Sequence, residues 1–121
     1  MKAVVFSATA LCAATPALAE WVTVACSFKT QCYEADACDD AALLVKLSAG
    51  DTPGTVQMRS PEETVIGTPG GSDTTSLTWI AETETAVHLM SWGADGSARY
   101  SLHLTLGPAV VSYLGSCEAE K

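Results

Sequence analysis

The sequence predicts an all-β protein: an antiparallel meander of about eight strands closing into a small barrel or sandwich, stapled by disulfides. Two observations lead there. Apolar and polar residues alternate in short runs, which is the signature of half-buried strands. The breaks between the runs hold residue pairs suited to turns: Gly50-Asp51, Pro53-Gly54, Ser60-Pro61, Pro69-Gly70-Gly71, Asp95-Gly96 and Gly107-Pro108. The disulfides follow from a cysteine count that becomes even once the leading segment is set aside.

Positions 1–19 read as a secretory signal peptide, with Lys2, an apolar stretch from Ala3 to Ala14, and small residues at Ala17 and Ala19 before Glu20. Removing them turns 121 residues with charge −8 and five cysteines into a 102-residue domain, 20–121, with charge −9 and four. Cys12 leaves with the leader, and Leu11 before it does not suit lipidation. In an oxidising compartment four cysteines form a disulfide framework, and four allow three pairings. The implied location is periplasmic or secreted.

The predicted strands are Trp21–Phe28, Ala41–Ser48, Thr55–Arg59, Glu63–Gly67, Thr75–Glu82, Ala86–Trp92, Ser97–Leu106 and Ala109–Cys117. Asp36–Leu47 also suits a helix of about three turns behind an aspartate cap. Gly67–Ser76 is rich in glycine, serine and threonine and reads as a mobile loop. Around Asp95-Gly96, the apolar pattern of Val87 and Leu89 against Ala98, Tyr100, Leu102, Leu104 and Leu106 favours a two-residue turn. That turn pairs Ala94 with Ser97, sets Leu89 opposite Leu102, and brings His88 opposite His103 on the outer face. A second tight turn at Gly107-Pro108 pairs Leu106 with Ala109 and aims Cys117 inward. Cys26 shares its face with Val22 and Val24, so a Cys26–Cys117 bridge would close the sheet, leaving Cys32 and Cys38 as a local staple. Closing a loop of that length contributes roughly 4–5 kcal/mol on chain-entropy grounds.

Composition excludes some partners. The acidic balance lacks the basic face that nucleic acid requires, and no apolar run is long enough to span a bilayer as a helix. A charged partner should be a basic protein or small ligand, and the acidic belt Glu34, Asp36, Asp39 and Asp40 is where it would dock. His88, Met90 and His103 form a candidate site for copper or another metal, because a thioether and two imidazoles suit that ion. Trp92 opposite Arg99 is a candidate binding pair. No nucleophile motif or C-x-x-C is present, and the adjacent carboxylates Asp39-Asp40 and Glu62-Glu63 would point to opposite faces of a strand, so no catalytic residue and no cofactor is expected.

Gly96-Ser97-Ala98-Arg99-Tyr100 and the closing Cys117 resemble the periplasmic c-type lysozyme inhibitors, small disulfide-closed β-barrels with a Ser-Gly-x-x-Tyr stretch. That resemblance implies a lysozyme-inhibitor-like protein, for which an acidic surface suits a basic enzyme. Asp95 stands where the family has serine, and the family's later Lys-Gly element is absent, so no inhibitory residue transfers. The Cys-rich start and the ending Tyr113-Leu114-Gly115-Ser116-Cys117-Glu118 also resemble small exported cysteine-containing proteins of alphaproteobacteria, which implies a compartment without an activity. N-terminal sequencing of protein recovered from the periplasm should read Glu20-Trp21-Val22; a chain still beginning at Met1 would overturn the leader assignment.

Overall fold

The computed structural model describes residues 23–70 and 77–120. The predicted leader, the start of the first predicted strand at Trp21 and most of the predicted Gly67–Ser76 loop therefore lie outside the described residues. Eight antiparallel strands follow one another around a closed barrel. They are β1 (Val24–Tyr33), β2 (Asp39–Ala49), β3 (Val56–Arg59), β4 (Thr64–Gly70), β5 (Leu77–Glu82), β6 (Ala86–Trp92), β7 (Ser97–Leu104) and β8 (Ala109–Ala119). The helical alternative for Asp36–Leu47 is not adopted: that segment supplies β2, where Leu43, Val45 and Leu47 alternate inward. The predicted Gly67–Ser76 loop also begins later than expected, because Thr68, Pro69 and Gly70 pair with Ile80, Trp79 and Thr78.

β1 pairs with both β2 and β8, so its two edges are used and no free sheet edge remains among the described strands. Cys26 and Cys117 are direct cross-strand partners in that seam and form a disulfide spanning 91 residues of sequence; Cys32 and Cys38 form the second. Both bridges are those expected. The seam also holds an irregularity, with Lys29 unpaired between Phe28 and Thr30 on β1. Phe28 is fully buried and faces Gly115 of β8. A Cβ at Gly115 would run into the carbonyl oxygen of Ser27 and the Cα of Phe28, so glycine lets the two backbones approach where the strand kinks.

The barrel interior is filled by Phe28, Leu47, Met58, Trp79 and Met90, each essentially inaccessible. Trp79 donates its indole N–H to the carbonyl of Val56 at 2.9 Å, which satisfies the one polar group of the largest fully buried side chain.

Two turns differ from expectation, with different consequences. The β6–β7 connection is a three-residue loop. Gly93 N–H donates to Ser97 O, Gly96 N–H donates to Gly93 O, and Gly96 takes a φ of 87°. Asp95 Oδ1 accepts from both the backbone and the hydroxyl of Ser97, at 2.9 and 2.7 Å, holding this turn in place of the tighter one. Partners therefore shift by one: Leu89 faces Ser101, His88 faces Leu102, and Val87 faces His103. Because side chains alternate, the whole of β6 is inverted relative to the prediction. His88, Met90 and Trp92 are interior, whereas Leu89 is 44% exposed. The β7–β8 connection, Thr105 to Pro108, is longer by two residues than expected, so Leu104 pairs with Ala109 and Tyr100 with Tyr113. A shift of two preserves the faces, and Cys117 does point inward.

Replacing Cys26 and Cys117 together by serine should lower unfolding stability by about 4–5 kcal/mol, and the same change at Cys32 and Cys38 by about 2 kcal/mol, since the closed loops differ in length. Denaturant titration of the two double variants checks the order; equal losses would contradict loop closure as the origin.

Candidate functional site

The alternating turns gather at two ends of the barrel. The β1–β2, β3–β4, β5–β6 and β7–β8 connections surround one end, and the β2–β3 and β6–β7 connections lie at the other. A cavity of about 120 Å³ opens at the first end. Leu43, Val45, Met58 and Leu102 form its apolar lining, and Tyr100 and Tyr113 form an aromatic wall. Ser60, Glu62 and Glu63, from the turn between β3 and β4, form its polar rim.

The aromatic wall is a direct product of register. Tyr100 and Tyr113 are cross-strand partners on β7 and β8, and their rings stack with centroids 5.6 Å apart and planes 18° apart. Phe28 packs against both, at 5.9 and 6.2 Å. Behind Tyr100 lies His88, 2% exposed, with Nδ1 2.6 Å from the Tyr100 hydroxyl. The His88 ring stacks on Tyr100 and meets the edge of Trp79. Burial lowers the His88 pKa, opposed in part by the negative charge of Glu63. A neutral imidazole results, and the phenol can donate to it when the ring proton sits on Nε2. Burial likewise raises the Tyr100 pKa well above its ordinary range, with Glu63 and then Tyr113 adding to the rise. Tyr113 is raised by burial and then by Glu62. The electrostatic effect of the two glutamates thus extends from the rim to all three ring residues.

The rim is set by turn chemistry. Ser60 Oγ accepts from Glu63 N–H at 3.2 Å, and Ser60 N–H donates to Glu63 O, closing the connection around Pro61 and Glu62. Among the described residues, neither glutamate carboxylate has a hydrogen bond or an ion pair.

The residues singled out from sequence are distributed differently from expectation. His103 is exposed, pairs with Val87 and lies on the outer face, whereas His88 and Met90 are interior, so the three do not converge on an ion. Among the described residues no group of three or more His, Cys, Asp or Glu is placed to hold a metal. Met90 Sδ instead lies 4.0 Å from Cys26 Sγ in the core. Trp92 pairs with Ala98 and is buried, while Arg99 pairs with Ser91, is exposed, and donates to the carbonyl of Ala98 at 2.8 Å. Both line an open depression of about 330 Å³ at the opposite end of the barrel, together with Ser91, Gly93 and Ser97. The acidic belt lies in the β1–β2 connection and the start of β2, at the cavity end. Within it, Glu34 adopts a φ of 52° and its carboxylate accepts from Val110 N–H at 2.8 Å, tying that connection to β8.

The sequence reading missed Tyr100 and Tyr113 as a facing pair and set Glu62 and Glu63 on opposite faces of a strand. The signal for the glutamates was their position in a turn rather than within a strand: the alternation that separates neighbours on a strand does not apply there. The chain matches no known protein family, no curated protein and no solved structure.

A buried histidine with a lowered pKa makes stability depend on pH in a defined direction. Below about pH 6.5 the unfolded chain binds a proton that the folded chain resists, so stability falls as pH drops through that value. For Tyr100 and Tyr113 the sign is opposite: above about pH 10 the unfolded chain ionises first, so stability falls as pH rises. Melting temperatures should therefore decline from pH 7 to 5.5, and His88→Phe should flatten that limb while leaving the alkaline limb. An unchanged acid limb in the variant would contradict the assignment.

Proposed function

We propose that the chain is an exported, non-enzymatic β-barrel that binds a small ligand at the cavity end of the barrel, in the periplasm or outside the cell. The observation that carries this reading is the cavity itself: an apolar and aromatic lining with a few convergent polar groups is the form of a ligand site, and barrel mouths are a recurrent place for one. Its volume of about 120 Å³ suits a compact molecule or the head of a longer one; for comparison, an engineered cavity of about 150 Å³ holds benzene. Two disulfides are compatible with an oxidising compartment, as the leader-like segment also requires.

The test is a ligand-observed NMR screen of neutral and charged fragments against the oxidised protein and against Leu102→Trp, which fills the cavity from a half-buried position on its wall. Binders should lose at least about tenfold in affinity in the filled variant, the change expected when about 1.4 kcal/mol of contact is removed. Binding that persists unchanged would place the site elsewhere, and a screen with no binders would remove the reading.

A further inference from the structure

Building on that reading, we infer that the mouth selects a compact organic cation, an alkylammonium or guanidinium head held against the Tyr100–Tyr113 wall by the Glu62 and Glu63 carboxylates. Three features converge on this class. The first is the wall: the Tyr100 and Tyr113 rings line the cavity beside the glutamates, and aromatic rings attract cations most strongly where water is excluded. The second is the rim, whose two carboxylates have no hydrogen bond or ion pair among the described residues. Arg59, which precedes the turn, alternates to the exposed face of β3 and pairs there with Lys46 and Thr64.

The third feature is the placement of charge around the whole opening. Three of the four connections at this end carry carboxylates: Asp36 and Asp40 beside β1–β2, Glu62 and Glu63 at β3–β4, and Glu82 and Glu84 at β5–β6. Carboxylates of one sign around a low-dielectric opening focus the field and raise the local concentration of a cation. An anionic ligand would meet that field with the wrong sign. A neutral apolar ligand would gain nothing from the exposed rim carboxylates. Only a cation gains from the rings, the rim and the outer field at once.

The cation can arrive as a free solute or on an arginine or lysine side chain, and the two are separated by the probes. Tetramethylammonium, methylammonium and guanidinium chlorides, with the tripeptide Gly-Arg-Gly, are titrated into the oxidised protein while the ring resonances of Tyr100 and Tyr113 are followed. Urea and neopentyl alcohol serve as neutral counterparts of matched shape. At low salt the cations should shift the ring resonances saturably, at least about tenfold more tightly than the neutral probes, and more weakly as ionic strength rises. Glu62→Gln with Glu63→Gln should weaken them by a similar factor, whereas Glu118→Gln at the opposite end should not. Tighter binding of the tripeptide than of guanidinium assigns the cation to a polypeptide; the reverse assigns it to a free solute. Neutral probes binding as well as cations, with no effect of the double substitution, overturns the cation inference while leaving a mouth site in place. No ring shift with any probe overturns both.

Discussion

The seam between β1 and β8 is the constraint on which the rest of the molecule depends. A meander of eight strands has two exposed edges until its ends meet, and here they meet over most of the length of β1, with the Cys26–Cys117 disulfide set between directly opposed residues. Closure turns one face of every strand into an interior and makes the opposite face the surface. It also requires the first strand to bend. The unpaired Lys29 supplies the bend, and Gly115 supplies the space for it next to Phe28. A barrel of this size has little core, so the covalent seam takes a share of stabilisation that a larger domain would obtain from burial.

Closure also makes the two ends of the barrel chemically different. Alternate hairpin connections fall at opposite ends, so the charge content of each connection decides the chemistry of its end. Carboxylates occupy three connections at the cavity end. The aromatic wall beneath them follows from Tyr100 and Tyr113 being ladder partners on the last two strands. Its position is maintained from behind by the neutral His88, whose hydrogen bond to Tyr100 removes what would otherwise be an unsatisfied buried hydroxyl.

The β6–β7 hairpin shows how one residue of loop length governs the interior. Counting apolar side chains favours Val87 and Leu89 as the core face, and a two-residue Asp-Gly turn would deliver it. The structure instead buries His88, Met90 and Trp92. This choice fills the barrel with larger groups, and the cost of burying an imidazole is met by Tyr100 and by aromatic contacts. Asp95 contributes locally by bonding to Ser97 in the three-residue loop. An odd change in loop length exchanges the two faces of a strand, whereas an even change preserves them. The β7–β8 connection is longer than expected by two residues, so its faces are unaffected.

By itself the sequence determined the all-β class, the approximate limits of most strands and the inward cysteines, and it favoured the Cys26–Cys117 closure among three possible pairings. These depend on local alternation, on turn residues and on chain ends that must meet, all of which are written in nearest-neighbour order. The tertiary structure alone decided which face of β6 is interior, that His88 and His103 are separated by the wall of the barrel, and that Glu62 and Glu63 meet a tyrosine pair some forty to fifty residues away in the chain. Those outcomes depend on loop geometry and on competition for a shared interior. Neither is encoded in the period of any one strand, because alternation specifies two faces without specifying which of them the closed barrel will enclose.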